Sequence, residues 1–125
     1  FKVEETDRQS LEHPDKKILQ PGGHIFLARY NKEIVGTCAL IKMDENCFEL
    51  AKMAVTEKAQ GKHIGWLLGQ AVIAKAKALG ATKLYLESNT KLEPALRLYQ
   101  KLGFQRIVGK PSPYERSNIQ MELIL

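Results

Sequence analysis

Residues 49–68, ELAKMAVTEKAQGKHIGWLL, decide how this chain is read. Apolar and β-branched residues up to Val55 suit an extended strand, Thr56 to Gln60 form a short polar turn, and Gly61, Lys62, His63, Ile64 and Gly65 open a helix. The order is strand, loop, helix N-terminus. A helix start leaves several backbone N–H groups without intrahelical partners, and the aligned peptide dipoles make that end electropositive. Small residues and a lysine there suit an anionic guest, a phosphate above all. Neither G-x-x-x-x-G-K-[ST] nor G-x-G-x-x-G occurs, so the triphosphate and dinucleotide loops are excluded.

Working outward from this stretch, the next signals lie downstream. Ile64, Leu67, Leu68, Ala71, Val72, Ala78 and Leu79 recur near helical spacing, Lys75 and Lys77 sit at the negative end of the dipole, and Gly80 stops the helix. A strand follows at Lys83 to Ser88, so strand, helix and strand imply a parallel pair joined by a right-handed crossover. Thr90-Lys91-Leu92-Glu93 has the form of a capping box, with Pro94 suited to the first turn. Ala95, Leu98, Tyr99 and Leu102 then share a stripe, Gly103 ends the helix, and Phe104 to Val108 is a strand. A polar loop carrying Tyr114, Glu115 and Arg116 leads to a last strand at Asn118 to Leu125.

Gln60-Gly61-Lys62-His63-Ile64-Gly65 resembles the pyrophosphate loop of the GNAT family of N-acetyltransferases, R/Q-x-x-G-x-G/A, with His63 where the pattern has its first glycine. Leu84 to Asn89, followed by Pro94-Ala95-Leu96-Arg97-Leu98-Tyr99-Gln100-Lys101-Leu102-Gly103-Phe104, resembles that family's second signature, a strand ending in Asn and then A-x-x-L-Y-x-K-x-G-F. The resemblance covers residues 24–125. It implies an acyl-CoA N-acyltransferase fold: an α/β protein of the α+β type whose mixed, mostly antiparallel sheet carries a central parallel pair that splays to admit coenzyme A, with flanking helices. It also places a strand and helix ahead of residue 24 that the sequence is not expected to contain; residues 1–20 read instead as polar helix and loop, with a break at His13-Pro14.

The implied activity is transfer of an acetyl group from acetyl-CoA to a primary amine, small molecule or peptide, by direct attack in a ternary complex. The candidate cofactor residues are Met53, Ala54, Val55, Gln60, Gly61, Lys62, His63, Ile64, Gly65, Trp66, Asn89 and Ala95, and the resemblance makes Tyr99 the acid that protonates the departing thiolate. Glu49, a carboxylate on a central strand, is read either as the general base acting through water or as a salt-bridged residue. Backbone N–H groups near Met53 to Val55 are candidates for polarising the carbonyl. Tyr114, Glu115 and Arg116 are the acceptor-binding candidates, against solvation of a loop. Asn89 either touches the pantetheine or only shapes its turn. The alternative from another class is a non-catalytic acyl-CoA-binding or regulatory module.

From His24 to Val55 the pattern is an antiparallel meander: Ile25 to Tyr30, a tight turn at Asn31-Lys32, Glu33 to Lys42, a turn at Asp44 to Asn46, and Cys47 to Val55. Gly36 weakens the second run or marks a bulge. Strict alternation in the third puts Glu49, Ala51, Met53 and Val55 on one face and Phe48, Leu50, Lys52 and Ala54 on the other.

At 125 residues the chain suits one domain, able to bury roughly two-thirds of its unfolded surface without staples. With 44% hydrophobic and 26% charged residues it has the composition of a globular protein. No apolar run approaches the ~20 residues of a membrane span, and the charged opening lacks a signal peptide's apolar region, so a cytoplasmic protein with no membrane partner is expected. Net charge is +5, but the cations are scattered rather than massed, which argues against nucleic acid. In the meander register Cys38 and Cys47 stand roughly 13 Å apart, too far to bridge. Neither shares ligand spacing with His13, His24 or His63, so no metal is expected. An open edge left by a missing first strand can pair with a second copy, making a homodimer.

Overall fold

The computed structural model describes residues 2–6, 23–107 and 118–125. Seven strands form one sheet: β1 (Lys2–Thr6), β2 (His24–Tyr30), β3 (Glu33–Lys42), β4 (Cys47–Val55), β5 (Lys83–Ser88), β6 (Gln105–Ile107) and β7 (Ile119–Ile124), in the order β1-β2-β3-β4-β5-β7-β6. Two helices, α1 (Ile64–Ala78) and α2 (Glu93–Leu102), follow β4 and β5. Every strand pairing is antiparallel except β4 with β5, which is parallel. The expected α+β architecture is what the chain forms.

The meander closes where its turn residues put it. Asn31 and Lys32 take φ of 49° and 70° between paired Tyr30 and Glu33, a two-residue hairpin of the type that matches strand twist. At the next turn Asp44 Oδ1 accepts the N–H groups of Asn46 and Cys47, both at 2.8 Å. Cys38 and Cys47 are buried, free thiols.

The first residues depart from expectation. Lys2–Thr6 is a strand, not a helix, and pairs antiparallel with β2 from Lys2↔Arg29 to Thr6↔Ile25. Val3 packs on the core, while Glu5 bonds His24 of β2 and pairs with Lys75 of α1 at 3.2 Å. A strand therefore precedes His24, and the edge of the sheet is β1 rather than β2.

Register breaks twice. Ala28 pairs Gly36 but Arg29 pairs Ile34, leaving Val35 as an extra residue beside the glycine. A Cβ on Gly36 would meet Leu68 Cδ1 at 3.0 Å and Ile64 Cγ2 at 3.1 Å, so α1 lies directly on the bare backbone. The second break has the larger effect. Thr37 pairs Ala54 but Ala39 pairs Ala51, so Lys52 and Met53 oppose Cys38 alone, with Lys52 in the left-handed region at φ 55°. Strict alternation fails at this bulge. Ala51 packs with Ile25, Leu27, Ala39 and Ile41, whereas Met53 and Val55 pack on the opposite face with Phe48 and Leu50.

That second face carries the main core. Leu40, Leu68, Val72 and Leu84 are fully excluded from water, each contributing about 1.5–3 kcal/mol of burial. Leu67 and Leu79, expected on the buried stripe of α1, are 38% and 42% exposed; Ile73 and Ala76 are buried in their stead. Gly80 and Gly103 end α1 and α2 in left-handed conformations, at φ 86° and 103°.

Candidate coenzyme site

Pairing of β4 with β5 stops at Glu49↔Tyr85, and Leu50 to Val55 runs on without a β5 partner. In a strand bonded on one side only, alternate N–H and C=O groups face away from the neighbour, here towards the gap. A groove of about 1040 Å³ opens there, lined by the end of β4, the loop after it, the first turn of α1 and one side of α2.

The loop is built in three steps. Thr56 N–H donates to Val35 at 2.9 Å, a single 3-10 turn spans Glu57–Ala59, and the Gln60 side chain donates back to the Val55 carbonyl at 3.4 Å. Gly61 at φ 82° and His63 at φ 61° then reverse the chain. The helix starts later than expected, at Ile64, with His63 as its N-cap and no side chain capping it. The first intrahelical bond runs from Leu67 N–H to His63 C=O at 3.0 Å, which leaves the amides of Ile64, Gly65 and Trp66 as the helix's orphan donors. All three residues line the groove. A Cβ added to Gly65 would lie 2.9 Å from Leu98 Cδ2, so the opening turn of α1 touches α2 and only glycine leaves that space clear.

Ten of the candidate coenzyme residues come together on this groove: Met53, Ala54, Val55, Gln60, Gly61, His63, Ile64, Gly65, Trp66 and Ala95. Lys62 and Asn89 are not among its lining. The Lys62 ammonium sits 5.2 Å from the centre of the Tyr30 ring, fastening the loop to the β2–β3 hairpin. Asn89 Oδ1 accepts the Lys91 N–H at 2.9 Å and its carbonyl accepts Leu92 N–H, so the side chain shapes the turn before α2. The expected capping box does not form. Thr90 is held instead by Asn118, which accepts its N–H at 2.9 Å and donates to its hydroxyl at 3.0 Å, and α2 is capped by Leu92 without a side-chain bond.

Tyr99 and Glu49 lie off the groove lining. Tyr99 is 7% exposed, edge-on to Phe104 with ring centres 6.2 Å apart. Burial pushes its phenol up to about 12, and the neighbouring Cys38 thiol adds to the shift. Cys38, on β3, stands opposite the β4 bulge. Glu49 is half-buried on β4, across from Ile41 and beside Tyr85 at the last parallel pair. Tyr114, Glu115 and Arg116 lie outside the described residues.

Sequence reasoning missed Ala59, Leu92, Pro94, Arg97, Leu98 and Lys101 on the groove. For α2 the signal was present: positions 94, 97, 98 and 101 are one helical face, adjacent to the apolar stripe. No group of metal-binding side chains occurs among the described residues, and no helix among them is long and apolar enough to cross a membrane.

Comparison with known proteins agrees with this geometry. Residues 1–104 match the profile of the acetyltransferase (GNAT) family. The uncharacterized N-acetyltransferase YjgM of Escherichia coli K12 is 31% identical over 91 residues, 70% of this chain and 54% of that protein. The chain spans about half the length of the curated relatives it matches. A GNAT-family acetyltransferase of Staphylococcus aureus Mu50 superposes with a TM-score of 0.78 at 30% identity, covering 86% of this chain and 71% of that one. One from Elizabethkingia anophelis, solved with acetyl-CoA bound, gives a TM-score of 0.78 at 26% identity over 99% of this chain and 97% of that one. A splayed parallel pair, a glycine-bearing loop on a helix N-terminus and this set of relatives lead to one assignment: the chain belongs to the GNAT family of acetyltransferases.

Proposed function

We propose that the chain transfers the acetyl group of acetyl-CoA to a primary amine by direct attack in a ternary complex. The observation that carries this reading is the groove where β4 parts from β5, with the orphan amides of Ile64, Gly65 and Trp66 at one end. Those donors suit the pyrophosphate, and the unpaired edge of β4 suits an extended pantetheine arm whose amides can bond it as a further strand would. The fit is supported by the absence of any carboxylate among the described residues of the groove lining and by the open space at Gly61, where a Cβ would meet nothing within 4 Å.

The neutral amine attacks the thioester carbonyl, its developing ammonium loses a proton, the C–S bond breaks, and the thiolate leaves to be protonated as free coenzyme A. Glu49 is assigned the amine's proton, taken through water; the backbone amides of Met53 to Val55 are assigned the carbonyl oxygen; Tyr99 is assigned the sulfur. A phenol at about 12 stays protonated throughout the neutral range. Against a thiol of ordinary pKa ~8.5 full transfer is uphill by roughly 5 kcal/mol, so Tyr99 acts by donating a hydrogen bond to the thiolate while solvent supplies the proton. Fixing both reactants removes on the order of 7–11 kcal/mol of barrier, more than any one proton donor. Tyr114, Glu115 and Arg116 are proposed to contact the amine.

A non-catalytic acyl-CoA-binding module is the second reading, favoured by one observation: neither Tyr99 nor Glu49 lines the groove. Calorimetric titration with acetyl-CoA, followed by an amine panel assayed for thiol release, separates them. Binding lost in Gly65→Glu, with turnover that falls at least about tenfold in Tyr99→Phe, supports the enzyme; binding without turnover across the panel supports the module. Absence of binding to folded protein overturns both.

A further inference from the structure

Two side chains of β3 hold the kink of β4. Between the pairs Thr37↔Ala54 and Ala39↔Ala51, Lys52 and Met53 share the place of one residue opposite Cys38, and Lys52 stands at φ 55°. A left-handed residue with a side chain is unfavourable inside a strand and persists only where its surroundings hold it. The holding groups lie on β3. The Thr37 hydroxyl donates to the Lys52 carbonyl at 3.4 Å, and the Cys38 thiol donates to the Ala51 carbonyl at 3.6 Å, with the Ala39 carbonyl a more distant alternative at 3.9 Å. Cys38 is 1% exposed, and burial pushes its thiol up to about 12, so it keeps the proton it donates. Two consecutive peptide groups of the kink are thereby gripped by side chains where the backbone ladder slips.

A carbonyl held in place fixes the N–H that shares its peptide. The bond joining Lys52 to Met53 is trans, so its C=O and N–H point in opposite directions within one plane. With the Lys52 oxygen drawn to Thr37 on β3, the Met53 N–H is turned away from β3, towards the side where β5 has parted from β4 beyond Glu49↔Tyr85. Met53 lines the groove, whereas Thr37 and Cys38 are not among its lining. Resting on the reading above, in which amides of Met53 to Val55 take the thioester oxygen, we propose that Thr37 and Cys38 are positioning residues for that oxygen. They aim the Met53 amide through the Lys52 and Ala51 carbonyls without touching the coenzyme. Thr37 carries the larger share, because a hydroxyl is a stronger donor than a thiol and the carbonyl it holds belongs to the same peptide as the Met53 N–H.

The test reads the thioester carbonyl itself. Acetyl-CoA isotopically labelled at its acetyl carbonyl is bound to wild type, Thr37→Val, Thr37→Ser and Cys38→Ala, and the carbonyl stretch is recorded by isotope-edited infrared spectroscopy. Calorimetry on the same samples gives the affinity for free coenzyme A. On wild type the band should move to lower frequency, as a hydrogen-bonded carbonyl does. Thr37→Val should lose roughly half or more of that shift, Cys38→Ala a smaller part, and Thr37→Ser should keep it, while affinity for free coenzyme A stays within about threefold. A threonine that merely supports the fold would lower stability without moving the band. A full shift in Thr37→Val, or a shift lost equally in Thr37→Ser, overturns the inference and leaves the reading above intact. An unshifted band in wild type overturns the assignment of the β4 amides, and folded wild type that binds no acetyl-CoA overturns the coenzyme reading; the inference falls with either. A misfolded variant is recognised by its loss of coenzyme A binding. Cys38→Ala then decides by the same band, and loss of coenzyme A binding in both overturns the inference.

Discussion

A Cβ placed on Gly69 would lie 2.5 Å from Leu102 Cδ1 and 3.1 Å from its Cδ2: the two helices meet with a leucine pressed onto bare backbone. The whole isobutyl branch, not one methyl, would have to move. Gly69→Ala should therefore destabilise by about 1–2 kcal/mol, overpacking outweighing the alanine's gain in helix propensity. Urea unfolding checks it; a stabilised variant would show that Leu102 has room to rotate away.

His63 sits at φ 61° where glycine is at ease. His63→Gly should raise stability by about 0.5–1 kcal/mol, the relief of left-handed strain being partly offset by the glycine's extra unfolded-state freedom. Coenzyme affinity should hold or improve, since the donated N–H survives and the backbone can come closer to the phosphate. Loss of affinity on titration would instead assign the imidazole itself a contact.

Stability should fall in alkali. Burial pushes the Cys38 thiol up to about 12 from 9.0, and the Tyr99 phenol up to about 12 from 10.0. Both ionise sooner in the unfolded chain, so their contribution is complete below pH 9 and is lost as pH rises towards 12, at up to about 1.4 kcal/mol per pH unit per group. Cys38→Ala should be less steep than wild type above pH 9 in urea midpoints measured up to about pH 11. Parallel slopes would mean that the thiol ionises equally in both states.

At the acid end Glu5 is the group to watch. Burial works to raise its pKa, but hydrogen bonds from His24 and Lys75 outweigh it and hold the carboxyl below its ordinary 4.5. Its contribution is present above 4.5 and lost as pH falls through the lower folded value. Glu5→Gln should lose less than about 1 kcal/mol at pH 7, a small effect because the pair is partly solvated, and the difference should close below pH 4. Hydrogen exchange should show the loosening first in the amides of β1.

How far the sequence could be read depended on how local each signal was. The hairpin at Asn31-Lys32, the turn at Asp44 and the strands Glu33–Lys42, Cys47–Val55 and Lys83–Ser88 follow from neighbouring residues, and they stand where expected. Lys2–Thr6 escaped because KVEET carries one strongly apolar residue and finds its partners in β2, from Thr6↔Ile25 to Lys2↔Arg29, far along the chain. Thr90 had the right neighbours for a capping box, yet Asn118, twenty-eight residues on, holds it. The bulge at Lys52 was invisible for the same reason, since it exists only relative to the register of β3. At the site, the glycine-bearing loop was legible from its motif, whereas Arg97 and Lys101 lie off the apolar stripe of α2 and join the site only because the fold brings that face to the groove.

The extra residue in β4 works as a phase shifter. Upstream of it odd-numbered side chains, Glu49 and Ala51, point to one side of the sheet; downstream the odd-numbered Met53 and Val55 point to the other. One strand can thereby present a carboxylate to one half-space and a binding edge to its opposite, meeting at a gap rather than across a wall. Deleting Lys52 would change the composition by a single residue and restore the simple beat. Met53 would then oppose Cys38 alone, and Met53 and Val55 would keep the side of the sheet they now occupy, so such a deletion should cost the local kink of β4 and leave the groove its two side chains.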